Sequence, residues 1–237
     1  PHGRTYDTVQ QFVDLGVYWL YINIGFPSGT VVKHQGGSYW LKECAKLLEL
    51  VKNIRQLHPH FFSIKMRIGF ADTNNFLKLV TEFEQLGVDA ITVHARTREQ
   101  MYSTPADWNF IRLASEAVKI PIIANGDIWT IADKDKVLSQ TGCHSVMIAR
   151  GALKCPWLPT TQIAKMTDKK IFIAQYFGAL TEAWQNEGVA ESNMVKKIKE
   201  LSRYLYEDIQ GGDLLKRSIL LAQSFEEQKR YIYEYAL

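Results

Sequence analysis

Two basic clusters mark places where this sequence could carry out chemistry. Lys65 and His94 each lie near the end of an apolar run, and an arginine follows two positions later, as Arg67 and Arg96. Because side chains alternate along a strand, Lys65 and Arg67 would face the same side. A cation there can hold an electron-rich ring edge, such as that of a reduced flavin. The alternative, that Lys65 and His94 are loop residues without a role, stays open for each one alone.

Two glycine-containing turns follow later apolar runs and are typical of phosphate binding. One is Asn-Gly-Asp at 125–127, and the other is Ala-Arg-Gly at 149–151. Backbone N–H groups in such turns bind phosphate, Gly126 permits close approach of the backbone, and Arg150 would add a charge-assisted contact. The alternative is a pair of ordinary turns between strands and helices.

The segment from residue 94 to 108 is long and combines arginines with aromatic residues. It includes Arg96, Arg98, Tyr102 and Trp108. Such a combination suits a single RNA strand whose bases are unstacked. It fits equally a solvated loop in which Trp108 anchors the start of the next helix.

Alternating strand-like and helix-like segments would position these clusters. Short apolar runs predict five strands, and amphipathic spacing predicts helices between them. This order is typical of right-handed βαβ units, in which the strand ends carry the functional residues. A closed barrel has eight units, so we expect an α/β domain of the (β/α)8 TIM-barrel type that lacks its first strands. The predicted strands are 18–24, 61–68, 90–94, 121–125 and 145–148, and the predicted helices are 5–15, 40–57, 74–86, 107–118 and 131–139.

Beyond about residue 160 the pattern changes to helices alone. Helical periodicity covers 170–186, 193–209, 214–223 and 225–235. We therefore expect two domains, a partial TIM barrel at 1–160 and a helical bundle at 161–237. Basic residues of the bundle, among them Lys196, Lys199 and Arg203, alternate with acidic ones. They fit either solvated helix faces or a surface that follows a phosphate backbone.

The composition limits the class of protein without identifying a partner. The 237 residues carry a formal net charge of +3 and are 46% hydrophobic, which is ordinary for a globular protein. Three cysteines without paired spacing argue against a disulfide scaffold or a zinc cluster. No apolar run approaches the ~20 residues of a membrane span. We expect a monomeric cytoplasmic protein with no metal site and no membrane partner.

The sequence resembles the tRNA-dihydrouridine synthases, and most closely their bacterial C-type, through five motifs in the same order. They are YINIGFPSGTV with Gly36-Gly37, SIKMRIG, ITVHARTREQMYSTPADW, IPIIANGDIW and HSVMIARGALKCPWL. The resemblance extends from about residue 8 to 158, and more faintly into the helical tail.

The resemblance implies an enzyme that uses FMN, with NADPH as reductant, to reduce uridine to dihydrouridine in the D-loop of tRNA. Hydride would reach uracil C6, and a loop cysteine would protonate C5. Asn23 would lie near the substrate base. The residues implied for cofactor binding are Lys65, His94, Asn125, Gly126, Asp127, Ala149 and Arg150, and those implied for RNA contact are Arg67, Arg96 and Arg98.

The sequence departs from the family pattern at its most important position. Phe26 stands where the catalytic cysteine belongs, within Asn-Ile-Gly-Phe-Pro at 23–27. Phenylalanine has no proton to give, and a lost general acid costs ~10²–10⁴ in rate. His34, in the same loop, is a candidate replacement. Further departures are Tyr21, Gly29, Ala95 and Ala149.

Two other functions stay open at this point. The chain could be a catalytically inactive RNA-binding relative or truncated remnant of that family. It could also be a different flavin barrel that acts on a small molecule. Retention of tRNA without flavin would indicate the first, and turnover without RNA would indicate the second.

Overall fold

The computed structural model describes residues 4–160 and 166–236 and divides the chain into two compact units. The first unit comprises the chain up to Ile128 together with Ala132–Met147. The second comprises Trp129–Ile131 and the chain from Ile148 onward. All three cysteines are free.

A parallel sheet of five strands forms the centre of the first unit. Its strands lie side by side in their sequence order, as consecutive strands of a TIM barrel do. The predicted α/β fold class is therefore confirmed. The strands are β1 (Trp19–Asn23), β2 (Phe61–Arg67), β3 (Ala90–His94), β4 (Ile122–Asn125) and β5 (Ser145–Met147).

Six helices precede or connect these strands, and they match the predicted ones with two exceptions. The helix predicted at 40–57 is interrupted, because Glu43 adopts φ −111° and ψ 51°, and a 3₁₀ helix over Gly37–Lys42 precedes it. The short helix at Gly29–Lys33 is an addition, since five residues are too few for an amphipathic period. The helices are α1 (Arg4–Asp14), α2 (Gly29–Lys33), α3 (Cys44–Leu57), α4 (Phe76–Gln85), α5 (Asn109–Ala117) and α6 (Ile131–Thr141).

The sheet has an apolar face and a polar face because side chains alternate along each strand. Ile64 and Met66 of β2 and Val93 of β3 are completely buried on the apolar face, as are Val51 of α3 and Phe83 of α4. The intervening positions of β2, β3 and β4 form the polar face. Its polar residues are Ser63, Lys65, Arg67, Thr92, His94 and Asn125.

Every described segment of the second unit beyond Ile148 is helical or a connection between helices, so the predicted C-terminal helical region is confirmed. Its α-helices are α7 (Arg150–Lys154), α8 (Met166–Asn186), α9 (Glu191–Leu205), α10 (Gly212–Leu221) and α11 (Phe225–Ala236). Buried side chains from α8 to α11, such as Phe177, Ile198, Ile219 and Ile232, form one core. The domain boundary predicted between residues 160 and 161 stays a prediction, since 161–165 lie outside the described residues. None of the described helices is long and apolar enough to cross a bilayer.

Candidate active site

The register of the sheet brings several of the predicted site residues together. Arg67 at the end of β2 pairs with His94 of β3, which pairs in turn with Asn125 of β4. Two residues earlier, Lys65 pairs with Asn23 of β1. Paired residues of neighbouring parallel strands point to the same face of a sheet. These five side chains therefore form one group at the carboxyl end of the polar face.

His94 and Asn125 form a buried hydrogen bond at the centre of this group. Nδ1 of His94 lies 3.0 Å from Oδ1 of Asn125. The amide nitrogen of Asn125 donates to the carbonyl of Met147 at 2.7 Å. Burial, together with the positive charges of Arg67 and Lys65, lowers the pKa of His94 to about 3. His94 is therefore a neutral imidazole at pH 7.

Lys65 is a cation on the polar face that has no hydrogen-bond or ion-pair partner in the described part of the chain. Burial, and to a lesser degree the charge of Arg67, lowers the pKa of its ammonium to about 8. A partly buried and unpaired cation costs free energy in the folded state. Such a group is well suited to meet negative charge on a bound ligand.

Arg67 connects two loops of the site through backbone contacts. Its side chain is almost completely buried, with 2% exposure. Nε donates to the carbonyl of Gly25 in the loop after β1 at 3.2 Å. Nη1 donates to the carbonyls of Thr97 at 2.8 Å and Met101 at 3.2 Å, both in the loop after β3. Its guanidinium is thus directed toward protein backbone.

Arg96 and Asp127, which the sequence assigned to RNA and to the cofactor, contact each other. Nη2 of Arg96 donates to Oδ2 of Asp127 at 2.5 Å, and Nε donates to the carbonyl of Thr104. The same carboxylate oxygen accepts the backbone N–H of Ala106 at 2.8 Å. This ion pair, which the sequence analysis did not identify, holds the loop after β3 against the loop after β4. The register that aligns His94 with Asn125 brings the two loops together.

The long loop after β3 is anchored by Trp108 and leaves Arg98 accessible. Nε1 of Trp108 donates to the carbonyl of Gly126 at 2.9 Å, which agrees with the anchoring alternative. Arg98 is partly exposed, and its guanidinium lies 5.3 Å from the centre of the Phe70 ring. Tyr102 is half exposed and covers the ring of His94 edge-on, with 6.0 Å between ring centres.

Gly126 occupies a position that a larger residue could not adopt without strain. Its φ is +114°, and a Cβ built there would lie 3.0 Å from Cβ of Ala106 and 3.7 Å from Nε2 of His94. Asp127 follows with φ +53°. The turn after β4 therefore brings its backbone close to His94, whereas the phosphate contact proposed for Gly126 stays a prediction.

The loop that carries Phe26 is held by its own backbone. Oδ1 of Asn23 accepts the N–H of Gly25 at 3.0 Å. The carbonyl of Phe26 accepts the N–H of Ser38 at 3.0 Å, and a Cβ on Gly37 would lie only 2.5 Å from that carbonyl. The Phe26 side chain is 48% exposed. The hydrogen bonds that order this loop in the described part of the chain are made by the Phe26 backbone and by Asn23, so we expect a smaller side chain at residue 26 to preserve them.

Ala149 and Arg150 belong to the second unit. Ala149 is exposed, and Arg150 begins the short helix α7. The guanidinium of Arg150 lies 4.8 Å from the centre of the Trp129 ring, which in turn lies 6.3 Å from the ring of Tyr204 on α9. Arg150 is thus oriented by aromatic stacking.

A comparison with protein families matches residues 4–234 to the family described as Dihydrouridine synthase (Dus). Similar proteins carry the name tRNA-dihydrouridine(16) synthase. The one from Haemophilus influenzae is 32% identical, over 94% of this chain and 73% of its own length. Those from Cupriavidus necator and Neisseria meningitidis are 36% and 38% identical over 61% of this chain. This chain spans only 45% and 44% of their lengths.

Among solved structures, a nitroalkane oxidase from Streptomyces ansochromogenes matches 63% of this chain and 38% of its own. The sequence identity is 16% and the TM-score is 0.38. A similarity of this size supports no argument about function.

Proposed function

The chain belongs to the dihydrouridine synthase family, and on that premise we propose that it binds FMN on the polar face of its sheet and acts on uridine in tRNA. The proposed reaction is the NADPH-dependent reduction of uridine to dihydrouridine, slowed by the absence of an acid at Phe26. The proposal rests chiefly on the ammonium of Lys65, which has no partner among the described residues, beside neutral His94 at the strand ends.

The side chains of the polar face suit a flavin in charge. Lys65 has a pKa of about 8 and therefore remains positively charged at pH 7. Its ammonium would stabilise negative charge on the N1 and O2 edge of the reduced ring. The backbone of Gly126, which has no Cβ, lies close to His94 at the same end of the sheet. A bound flavin would supply the hydride for C6 of uracil, and NADPH would replenish it.

We propose positioning roles for Arg67 and Arg96 in place of direct contact with RNA. Both residues are at least 97% buried, and both donate to backbone carbonyls of the site loops. Arg98 retains partial exposure and remains our candidate for RNA contact. The assignment of the flavin phosphate to Asn125, Gly126, Asp127, Ala149 and Arg150 stays a prediction from the sequence.

The substrate proposal is supported by the names of the relatives, which refer to position 16 of tRNA. That position lies in the D-loop. Basic residues of α9 and α11 would contribute to tRNA binding. Several of them pair with neighbouring acids, such as Lys197 with Glu200 at 3.0 Å, so a purely solvated face is the competing interpretation. A cytoplasmic location and a monomeric state remain proposals of the same kind.

Phe26 also supports a second candidate function. Reduction adds a hydride to C6 and a proton to C5, and the phenyl ring of Phe26 has no acidic hydrogen. His34, the suggested replacement, directly follows α2 and is exposed to solvent. An RNA-binding relative without catalytic activity would show the same sequence. It would retain tRNA and produce no dihydrouridine.

A flavin spectrum and a tRNA reduction assay on three proteins test these proposals. The wild type should take up FMN and turn yellow. Phe26→Cys should raise the rate of dihydrouridine formation about 10²-fold or more, as expected for a restored general acid. Phe26→Ala is the matched control, since it removes the ring without adding an acid, and it should leave the rate unchanged. A colourless protein that takes up no FMN would overturn the cofactor proposal, and a flavoprotein whose cysteine variant stays inactive would favour the non-catalytic relative.

A further inference from the structure

A series of buried polar contacts determines which nitrogen of His94 carries its proton. We propose that Asn125 and Arg96 hold His94 as a neutral imidazole protonated on Nδ1, so that Nε2 can only accept a hydrogen bond. Asn125 is then a positioning residue for His94. The catalytic consequence rests on the proposed function, but the protonation state can be measured without any flavin.

The first contact in this series fixes the orientation of the Asn125 amide. Its Nδ2 lies 2.7 Å from the carbonyl oxygen of Met147. A backbone carbonyl only accepts, so the atom facing it must be the amide nitrogen. The amide oxygen therefore faces His94. Since that oxygen also only accepts, the nitrogen of His94 at 3.0 Å from it, Nδ1, must carry the proton.

The second contact disfavours a proton on the other nitrogen. Nη1 of Arg96 lies 3.5 Å from Nε2 of His94. A guanidinium has only donors, so Nε2 must offer its lone pair to it. The geometry is that of a weak hydrogen bond, but the positive charge has the same effect. The ion pair with Asp127 keeps this guanidinium in place.

The charged groups around His94 disfavour its charged form. The charged groups that act on it are Lys65 and Arg67 from β2 and Arg96 from its own strand end, and all three are cations. The carboxylate of Asp127 is engaged by Arg96 and by the N–H of Ala106. His94 is itself 93% buried, and Tyr102 covers its ring. Burial and three like charges therefore keep the ring neutral against the Asn125 hydrogen bond, which by itself raises the pKa of His94, and the Arg96 contact at Nε2 acts with them.

A histidine in this state cannot donate a proton to a substrate. Its single N–H is committed to Asn125, and Nε2 has none. His94 is therefore excluded as a replacement for the acid that is missing at Phe26. The proton that completes reduction at C5 of uracil therefore comes from neither His94 nor Phe26.

Nitrogen-15 NMR of the full chain, without flavin or RNA, tests the inference directly. Two-bond proton–nitrogen correlations distinguish a protonated from a bare ring nitrogen, and a His94→Gln variant identifies the signals. We expect a protonated Nδ1 and a bare Nε2, unchanged between about pH 8 and pH 5. The opposite tautomer, or a doubly protonated ring at about pH 6, would overturn the inference.

An Asn125→Asp variant provides a second test. It should change the titration of His94 only if the side chain of residue 125 faces Nδ1. The new carboxylate would face Nδ1 and stabilise the imidazolium, so the His94 ring should begin to titrate within the measured pH range. Asn74→Asp, at an exposed position outside the site, is the matched control and should not change the His94 signals. If Asn125→Asp leaves the ring neutral throughout, Asn125 does not position it.

The outcomes separate this inference from the proposed function. A neutral His94 protonated on Nδ1 in a protein that takes up no added FMN would overturn only the cofactor proposal. FMN uptake by a protein whose His94 carries its proton on Nε2 would overturn only the inference. The wild-type measurement is decisive even if a variant fails to fold.

Discussion

Nε of Arg67 donates to the carbonyl oxygen of Gly25 at 3.2 Å, across 42 residues of sequence. This bond joins the end of β2 to the loop that carries Phe26. The same guanidinium donates to Thr97 and Met101 in the loop after β3. One buried cation therefore sets the distance between the loop of the missing acid and the loop that follows His94.

We expect Arg67→Met to destabilise the protein strongly. Methionine fills much of the same volume but leaves three backbone carbonyls without their donor. Each unsatisfied buried acceptor costs ~1–3 kcal/mol, so the free energy of unfolding should fall by about 3 kcal/mol in urea titrations. Arg112→Met is the matched control, because Arg112 forms an exposed pair with Glu116, and it should change the value by less than ~1 kcal/mol. Equal effects of the two substitutions would contradict the assigned role of Arg67.

Lys65→Met should stabilise the protein while it weakens flavin binding. Burial lowers the pKa of Lys65 from 10.5 to about 8, so the charged folded state carries a cost of up to ~3 kcal/mol below pH 8. That cost decreases as the pH rises from 8 to 10.5, since the folded protein loses the proton first. We expect a gain of ~1–3 kcal/mol in urea at pH 7 and a lower FMN affinity in a fluorescence titration. Lys78→Met, on the exposed side of α4, should leave both unchanged, and unaltered FMN affinity in the Lys65 variant would refute its role.

The stability of the wild type should decrease in mild acid because of His94. Its pKa is about 3 in the folded state and ~6.5 in the unfolded chain, so between these values the unfolded chain binds more protons. The contribution is complete above pH 6.5 and is lost as the pH falls toward 3. From pH 7 to pH 5 the loss should be ~2 kcal/mol. His94→Gln should remove this part of the pH dependence, and parallel stability curves for the two proteins would argue against the buried neutral state.

Gly126→Ala should disturb the turn after β4. The positive φ of 114° and the 3.0 Å approach to Cβ of Ala106 together should cost ~1–3 kcal/mol of unfolding free energy. The indole of Trp108 donates to the carbonyl of this residue, so its fluorescence should change as well. Gly29→Ala is the control, since a Cβ there meets nothing within 4 Å. It should be neutral or slightly stabilising, because alanine favours the helix α2, and a similar cost at both sites would exclude strain as the cause.

The sequence by itself determined the elements of this protein and the order of its polar clusters. The strand predicted at 90–94 coincides with β3, because alternation and helical periodicity are local properties that each segment carries in its own residues. The glycine turn at 126 was predictable for the same reason, since its requirement is a backbone angle. Local pattern also placed Lys65 and His94 near the ends of adjacent strands.

Only the tertiary structure decided what those polar residues contact. Arg67, Arg96 and Arg98 look alike in sequence, yet the first two are buried against backbone carbonyls and the third stays partly exposed. Asn125 became the partner of His94 through a strand register that joins residues 31 positions apart. Burial and pairing depend on which distant segments pack together, and these in turn set the charge and the proton position of each group. The residue types of the site are therefore a property of the sequence, whereas its protonation states are a property of the fold.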